Sequence, residues 1–286
     1  MEDVNDGWNR GERSGLVSIG NHKLWASISG PSRLPSQPII IIFPGSDAAC
    51  DTWRPIMERI SSSARVLLYD RSSIGRSEHG FERNTGLSNA KELSKLLSVI
   101  DVEGPYVLVA HSYGGCVARE FLQLHSKDIV GMVLSETGTE TKCEHAEEQY
   151  ETQILSDAPL AVIRGEAVIN PSRMTSDETA SGQAHGQDAY QKVVRGMQET
   201  DESLKREQLR LSRNSRFRNL PDCGHSVHIE RPEVVVEEIN WVLNNICHAQ
   251  SASQVVMSSS TVKPSLVSRI FSRAFSELPG RMRGRK

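Results

Sequence analysis

The stretch from Tyr106 to Glu120, Tyr-Val-Leu-Val-Ala-His-Ser-Tyr-Gly-Gly-Cys-Val-Ala-Arg-Glu, constrains the fold of this chain more than any other. The apolar run from Tyr106 to Ala110 predicts a buried strand, and the sequence from Gly115 onward predicts a helix. Between them stands Ser112, with Ala110 two residues before it and Gly114 two residues after it. Small-x-Ser-x-small at a strand-to-helix junction is the spacing of a nucleophile elbow, a turn so tight that the flanking side chains must be small. Such a bend lifts the serine hydroxyl above the sheet and aims the first N–H groups of the new helix at negative charge developing beside it. The plain alternative is a serine capping an ordinary helix.

The rest of the chain supplies strands and helices in alternation. Leu16 to Ile19 and His22 to Ser29 are expected to form a hairpin around Gly20-Asn21. Ile39 to Phe43 holds four consecutive isoleucines without alternation, the mark of a strand covered on both faces, as in a parallel sheet. It ends in Pro44-Gly45-Ser46-Asp47, a loop able to hold backbone N–H groups close to a ligand, and a helix burying Ile56 and Ile60 follows near Thr52. Arg65 to Tyr69 is the next buried strand, and Leu87, Leu93, Leu96, Leu97 and Ile100 keep helical spacing before the elbow. After it come strands at Ile129 to Leu134, closing on Ser135-Glu136, at Leu160 to Ile163, closing on Arg164-Gly165-Glu166, and at Ser215 to Leu220, leading to Pro221-Asp222-Cys223-Gly224-His225. A last helix starts at Pro232 and turns Val235, Ile239, Val242, Leu243 and Ile246 inward. This pattern predicts one α/β domain over residues 15–247, with a mainly parallel eight-stranded sheet and helices on both faces.

Three segments fall outside that rhythm. Residues 1–14 are polar and are expected to be a flexible N-terminus. Asn170 to Gln208 is long and polar, with a helical part carrying Tyr190, Val193, Val194 and Met197 that reads either as a short cap or lid over the site or as a surface excursion. Residues 248–286 form a Ser-rich basic tail whose composition predicts disorder. Within the tail Leu266, Ile270, Phe271, Ala274, Phe275 and Leu278 share one helical face, which suits weak membrane-surface or partner contact.

Bulk properties narrow the classes. A formal charge of -3 and 37% apolar residues suit a soluble protein and argue against nucleic acid as a partner. No run approaches the length of a membrane span, and the acidic start without an apolar core predicts no secretory signal. Five scattered cysteines without metal-ligand spacing favour reduced thiols, a cytoplasmic setting and no metal; Cys143, Glu144 and His145 lie too close in sequence to converge on one ion.

A serine hydroxyl needs a base to take its proton, and the base needs an acid to hold its tautomer. His225 suits the base: it follows the last strand, and Gly224 before it leaves the backbone free to swing the ring inward. His111 is expected to point away at the elbow, His228 is a loop neighbour, and the remaining histidines have no motif support.

In order, Phe43-Pro44-Gly45, Tyr69-Asp70-Arg71-Ser72-Ser73-Ile74-Gly75-Arg76-Ser77, Ala110-His111-Ser112-Tyr113-Gly114, Cys223-Gly224-His225 and Glu230-Arg231-Pro232 resemble the α/β-hydrolase fold superfamily, in its serine-nucleophile, esterase-like branch, over roughly residues 15 to 247. The resemblance implies Ser112 as nucleophile, His225 as base, and the N–H groups of Ser46 and Tyr113 as the oxyanion hole, with no cofactor. It also implies that Asp70 is structural. The family often has His-Gly where this chain has Pro44-Gly45, which removes a bracing imidazole and keeps the backbone donors. The acid departs further. Family members usually carry Asp three residues after a Gly at the end of the strand before the last, where this chain has Val168 after Gly165. Some take the acid from the preceding strand tip, and there this chain has Glu136, the preferred candidate; Glu166 is the alternative acid, followed by Glu140 and Asp222.

Serine at the elbow speaks against the branches that need an aspartate nucleophile. The expected activity is hydrolysis of a small-molecule carboxylic ester, lactone or thioester through an acyl-enzyme, with a style similar to hydrolases of secondary metabolism. The alternatives are a carbon–carbon bond hydrolase and a non-catalytic small-molecule receptor on the same fold.

Overall fold

The computed structural model describes the backbone of residues 6–259 apart from 35, 47, 81–83, 139–144 and 166–183, and their side chains except at 6, 184–190 and 247–259. An eight-stranded sheet runs in the order β1-β2-β4-β3-β5-β6-β7-β8. Its strands are β1 (Arg13–Ser18), β2 (Lys23–Ser29), β3 (Ile39–Phe43), β4 (Arg65–Tyr69), β5 (Tyr106–His111), β6 (Ile129–Ser135), β7 (Leu160–Gly165) and β8 (Ser215–Leu220). β1 pairs antiparallel with β2 and β2 antiparallel with β4, while every pairing from β4 to β8 is parallel.

The unbroken apolar strands are buried on both faces, and their alternation divides the core in two. Ile39, Ile41 and Phe43 pack on one side with residues of α2 (Gly86–Val99) and α3 (Gly114–Leu124). Ile40 and Ile42 pack on the other with α1 (Arg54–Ile60) and α7 (Pro232–Ser259), whose Val235, Ile239, Val242 and Ile246 are all buried. α2 begins with a reciprocal cap between Thr85 and Ser88, which satisfies two N–H groups that the first turn leaves open. Short helices α4 (Ala146–Thr152) and α6 (Val227–Glu230) and a long one, α5 (Ala184–Glu207), complete the elements used below.

The start of the chain differs from expectation. Residues 1–14 are not a free segment from Trp8 onward: the Trp8 side chain is buried, and β1 already begins at Arg13. The physical reason is Arg65 on β4, whose guanidinium donates to the carbonyls of Trp8, Gly11 and Gly30 at 2.8–3.0 Å. Contacts divide the chain into two units, Met1–Cys247 and His248–Lys286. In the second, the described backbone is helical up to Ser259, and the rest of the tail, with the apolar face from Leu266 to Leu278, lies outside the described residues. Among the described residues no helix is long and apolar enough to cross a membrane.

Candidate active site

The sheet order puts the carboxyl ends of β3, β5, β6, β7 and β8 side by side, and the candidate residues sit on the loops that leave them. At the end of β5 the backbone of Ser112 takes a φ of +51°, a left-handed conformation that is costly for a residue with a side chain. The elbow is pinned by the Ser112 N–H donating to the Ser135 carbonyl at 3.2 Å. Gly114 is required there, though not because of the strand it follows. A Cβ at Gly114 would lie 2.1 Å from the Phe43 carbonyl oxygen and 2.6 Å from that of Pro44, so the elbow is pressed against the end of β3. That contact brings the Pro44-Gly45-Ser46 loop beside the serine: a Cβ at Gly45 would stand 3.5 Å from Ser112 Cβ.

The same loop is held from behind by a buried cation. The Arg71 guanidinium donates to the carbonyls of Pro44 (2.6 Å), Gly45 (2.6 Å) and Ser46 (2.5 Å), three charge-assisted bonds in one fork. Asp70 has a structural part beside it: its carboxylate accepts from the N–H groups of Cys50 at 2.7 Å and Arg76 at 3.0 Å.

Glu136 follows β6 directly, also at a positive φ, +53°, and its carboxylate is fully buried. Oε1 accepts from the Gly165 N–H at 2.7 Å, at the tip of β7. Oε2 lies 3.1 Å from His225 Nδ1. A carboxylate only accepts, so this contact calls for a proton on Nδ1, the tautomer in which the neutral ring keeps its acceptor lone pair on Nε2. The His225 side chain is 42% exposed, while the Glu136 carboxylate beside it is sealed. Its backbone is fixed as well, since the His225 carbonyl lies 2.9 Å from Nε2 of His111, the residue before Ser112.

His111 thereby ties the loop of His225 to the elbow. Its ring lies 4.7 Å from that of His225 and 4.5 Å from that of His228, and His228 stacks on Trp53 at 4.5 Å. Burial pushes His111 down to about 4. Burial, then the neighbouring rings of His111 and His225, push His228 down to about 3. Both are neutral at ordinary pH.

Of the other acid candidates, Asp222 is drawn to Arg231, 2.8 Å away on the exposed side of the loop. Glu166 and Glu140 lie outside the described residues. Among the described residues no three His, Cys, Asp or Glu side chains converge on a possible metal site. Of the polar stretch after β7, the part from Ala184 to Glu207 is α5, longer than the sequence suggested, and the residues before it lie outside the described ones; Val194 is buried, while Val193 and Met197 face solvent. Its last turns pack on the strand tips: Asp201 pairs with Arg164 of β7 at 3.0 Å and Lys205 reaches Glu136. Sequence reasoning missed Arg71, Lys205 and Asp201. Only Arg71 carried a signal, lying inside a quoted motif, whereas Asp201 and Lys205 look like an ordinary solvent-exposed pair one helical turn apart.

Residues 38–161 match the family described as the alpha/beta hydrolase fold. The chain has the alpha/beta hydrolase fold. Among curated proteins it is 28% identical over 298 residues to the probable transporter efuK of Hormonema carpetanum, covering 81% of this chain and 43% of that protein. It is 27% identical over 312 residues to an AB hydrolase superfamily protein of Gibberella zeae, covering 81% of this chain and 96% of that one. The chain thus spans less than half of the first relative and nearly all of the second. Solved structures sharing this alpha/beta hydrolase fold include a thermophilic esterase from Thermogutta terrifontis, at TM-score 0.57 and 16% identity over 82% of this chain and 99% of that one. The enol-lactonase from Burkholderia xenovorans LB400 matches at TM-score 0.57 and 15% identity, over 80% of this chain and 100% of that one.

Proposed function

We propose that this chain is a serine hydrolase that cleaves a small-molecule carboxylic ester, lactone or thioester through an acyl-enzyme, with Ser112 as nucleophile, His225 as base and Glu136 as acid. The observation that carries this reading is the Glu136–His225 contact of 3.1 Å, made by a buried carboxylate to a ring open to solvent. Two residues of the site also hold left-handed backbone, Ser112 at +51° and Glu136 at +53°, a local cost that the fold sustains at both ends of the arrangement. The esterase and lactonase likenesses agree with this class.

In the reaction we infer, His225 Nε2 takes the Ser112 proton as Oγ forms a bond to the substrate carbonyl carbon. The carbonyl oxygen gains the negative charge and is met by the N–H groups of Tyr113 and Ser46, each of which contributes about 3 to 4 kcal/mol to the transition state. The imidazolium is stabilised by Glu136 and then returns its proton to the leaving oxygen or sulfur. Water repeats the sequence on the acyl-enzyme, releasing the acid and restoring Ser112. No metal or organic cofactor enters any step.

The test is a panel of esters graded in acyl length and alcohol size, run beside Ser112→Ala and a fluorophosphonate probe. Wild type is expected to hydrolyse part of the panel and to be labelled, with both lost in Ser112→Ala. Failure of the folded wild-type protein to be labelled, beside a labelled control esterase, refutes the reading and leaves a receptor on the same fold.

A further inference from the structure

A lysine lies buried against the proposed acid, and the proposed reaction does not use it. Lys205, in the last turn of α5, is 0% exposed. Its ammonium group sits 3.4 Å from Glu136 Oε1 and in closer contact with the Asp201 carboxylate, one turn back on the same helix. Asp201 in turn accepts from Arg164 Nε at 3.0 Å, and Arg164 Nη1 lies 3.8 Å from the partly exposed Glu202. Just beyond, Gln208 exchanges two hydrogen bonds with Thr137, the residue after Glu136: Thr137 Oγ1 donates to its Oε1 at 2.6 Å, and its Nε2 donates to the Thr137 carbonyl at 2.9 Å. The foot of α5 is therefore fastened to the segment that carries the acid, and Lys205 is the part of that fastening that touches the carboxylate itself.

Burying an ammonium group is expensive unless it is paired, and the pairing with Asp201 on its own helix already serves that need. Contact with Glu136 adds something separate. Oε1 is occupied by Lys205 and the Gly165 N–H, which leaves Oε2 as the oxygen that faces His225. We propose that Lys205 is a positioning residue of this site, holding Glu136 in the orientation that faces His225 and coupling the foot of α5 to that pair. This rests on the reading of Glu136 and His225 as acid and base.

The charges facing the group are Glu136 from β6, Asp201 and Glu202 from α5, and Arg164 from β7, while His225 is faced by Glu136 and by the neutral rings of His111 and His228. Removing the ammonium leaves Glu136 more negative in effect, which favours the imidazolium form of His225. The His225 ring of Lys205→Met is expected to titrate about one pH unit higher than that of wild type. The same variant should lose about tenfold in kcat with KM little changed, because orientation, not substrate contact, is disturbed.

The experiment follows the histidine ring resonances of isotope-labelled protein against pH, with His225→Gln to assign the signal, beside pH profiles of kcat/KM on a p-nitrophenyl ester. The NMR arm needs no turnover. If wild type hydrolyses nothing, the proposed function fails while the coupling is still measured. A folded Lys205→Met whose His225 titrates with wild type, to within about a quarter of a unit, overturns the proposal. Should that variant not fold, Asp201→Asn/Lys205→Met, which removes one charge of each sign and leaves the net charge of the cluster unchanged, takes its place. It is expected to show a smaller upward move, and no move overturns the proposal equally.

Discussion

Replacing Glu136 by Gln tests the proposed acid with almost no change of shape, and its size can be worked from the contacts. The carboxylate uses both oxygens as acceptors, Oε1 from Gly165 N–H at 2.7 Å and Lys205 at 3.4 Å, Oε2 from His225 Nδ1 at 3.1 Å. A carboxamide has one acceptor and one donor. With its oxygen toward His225, its NH2 would confront the Gly165 N–H and the Lys205 ammonium in a fully buried place, at about 2–4 kcal/mol. With its oxygen toward Gly165, the NH2 donates to Nδ1 and moves the ring proton to Nε2. The second arrangement costs less, and it removes the lone pair that takes the serine proton. The expected loss is about 10³–10⁴ in the rate, or about 4–5.5 kcal/mol. Fluorophosphonate labelling rates measure this without knowledge of the natural substrate, with thermal melting as a check on folding. Glu166→Gln, on the other candidate acid, is expected to stay near wild type. A folded Glu136→Gln labelled within a few-fold of wild type refutes the reasoning, and a large loss in Glu166→Gln would move the acid to that residue.

Arg71→Met removes three charge-assisted bonds, at 2.6, 2.6 and 2.5 Å, to the loop that carries Ser46. The labelling rate should fall about a hundredfold as the loop N–H drifts from the oxyanion position; a folded variant labelled at the wild-type rate would separate this loop from the reaction. The buried imidazoles predict a pH dependence of stability. His111 and His228 are pushed down to about 4 and about 3 by burial, so each is neutral in the folded protein where the unfolded chain, titrating near 6.5, already binds a proton. Their contribution is thus fully present above about pH 6.5 and is lost as pH falls, up to about 3 kcal/mol for each by pH 4. Urea melts between pH 4.5 and 6 should show this slope, and His228→Gln should remove about one proton's worth of it, about 1.4 kcal/mol per pH unit; an unchanged slope would contradict the assignment.

The sheet was legible because fully buried strands are written as unbroken apolar runs such as Ile39 to Phe43, and the elbow because a left-handed serine needs small neighbours at fixed spacing. What stayed hidden depends on contacts between residues far apart in the chain. Trp8 looks like part of a loose terminus until Arg65 is seen to hold its carbonyl. Lys205 and Asp201 read as a surface pair at helical spacing, and only the packing of α5 on the tips of β6 and β7 buries them. On the same helix Val194 is buried while Val193 and Met197 lie in solvent, a division that the choice between lid and surface excursion left open. Periodicity reports which face of a helix is apolar; it does not report which neighbour arrives at the other face.

The position of the carboxylate also explains a departure that the motif pattern left open. Between the strand of Ser112 and that of the His225 loop lie β6 and β7. In the commoner arrangement the segment after the farther strand, β7 here, supplies the acid. In this chain β7 ends at Gly165, whose Cβ, if present, would stand 2.3 Å from the Gly224 carbonyl oxygen. The tip of β7 is thus packed on the residue next to His225, and its Gly165 N–H donates to Glu136. That N–H holds Glu136, which comes from the nearer strand and carries one more methylene than an aspartate. The Glu136 backbone is tied to β7 as well, its N–H donating to the Ile163 carbonyl at 2.9 Å. Shortening the side chain should then be harmful even though the charge is kept. In Glu136→Asp the carboxylate would be drawn back toward its own strand, unable to reach Gly165 and His225 together. Labelling is expected to fall at least about tenfold with the charge intact. Wild-type labelling by Glu136→Asp would mean that reach from β6 does not limit the site.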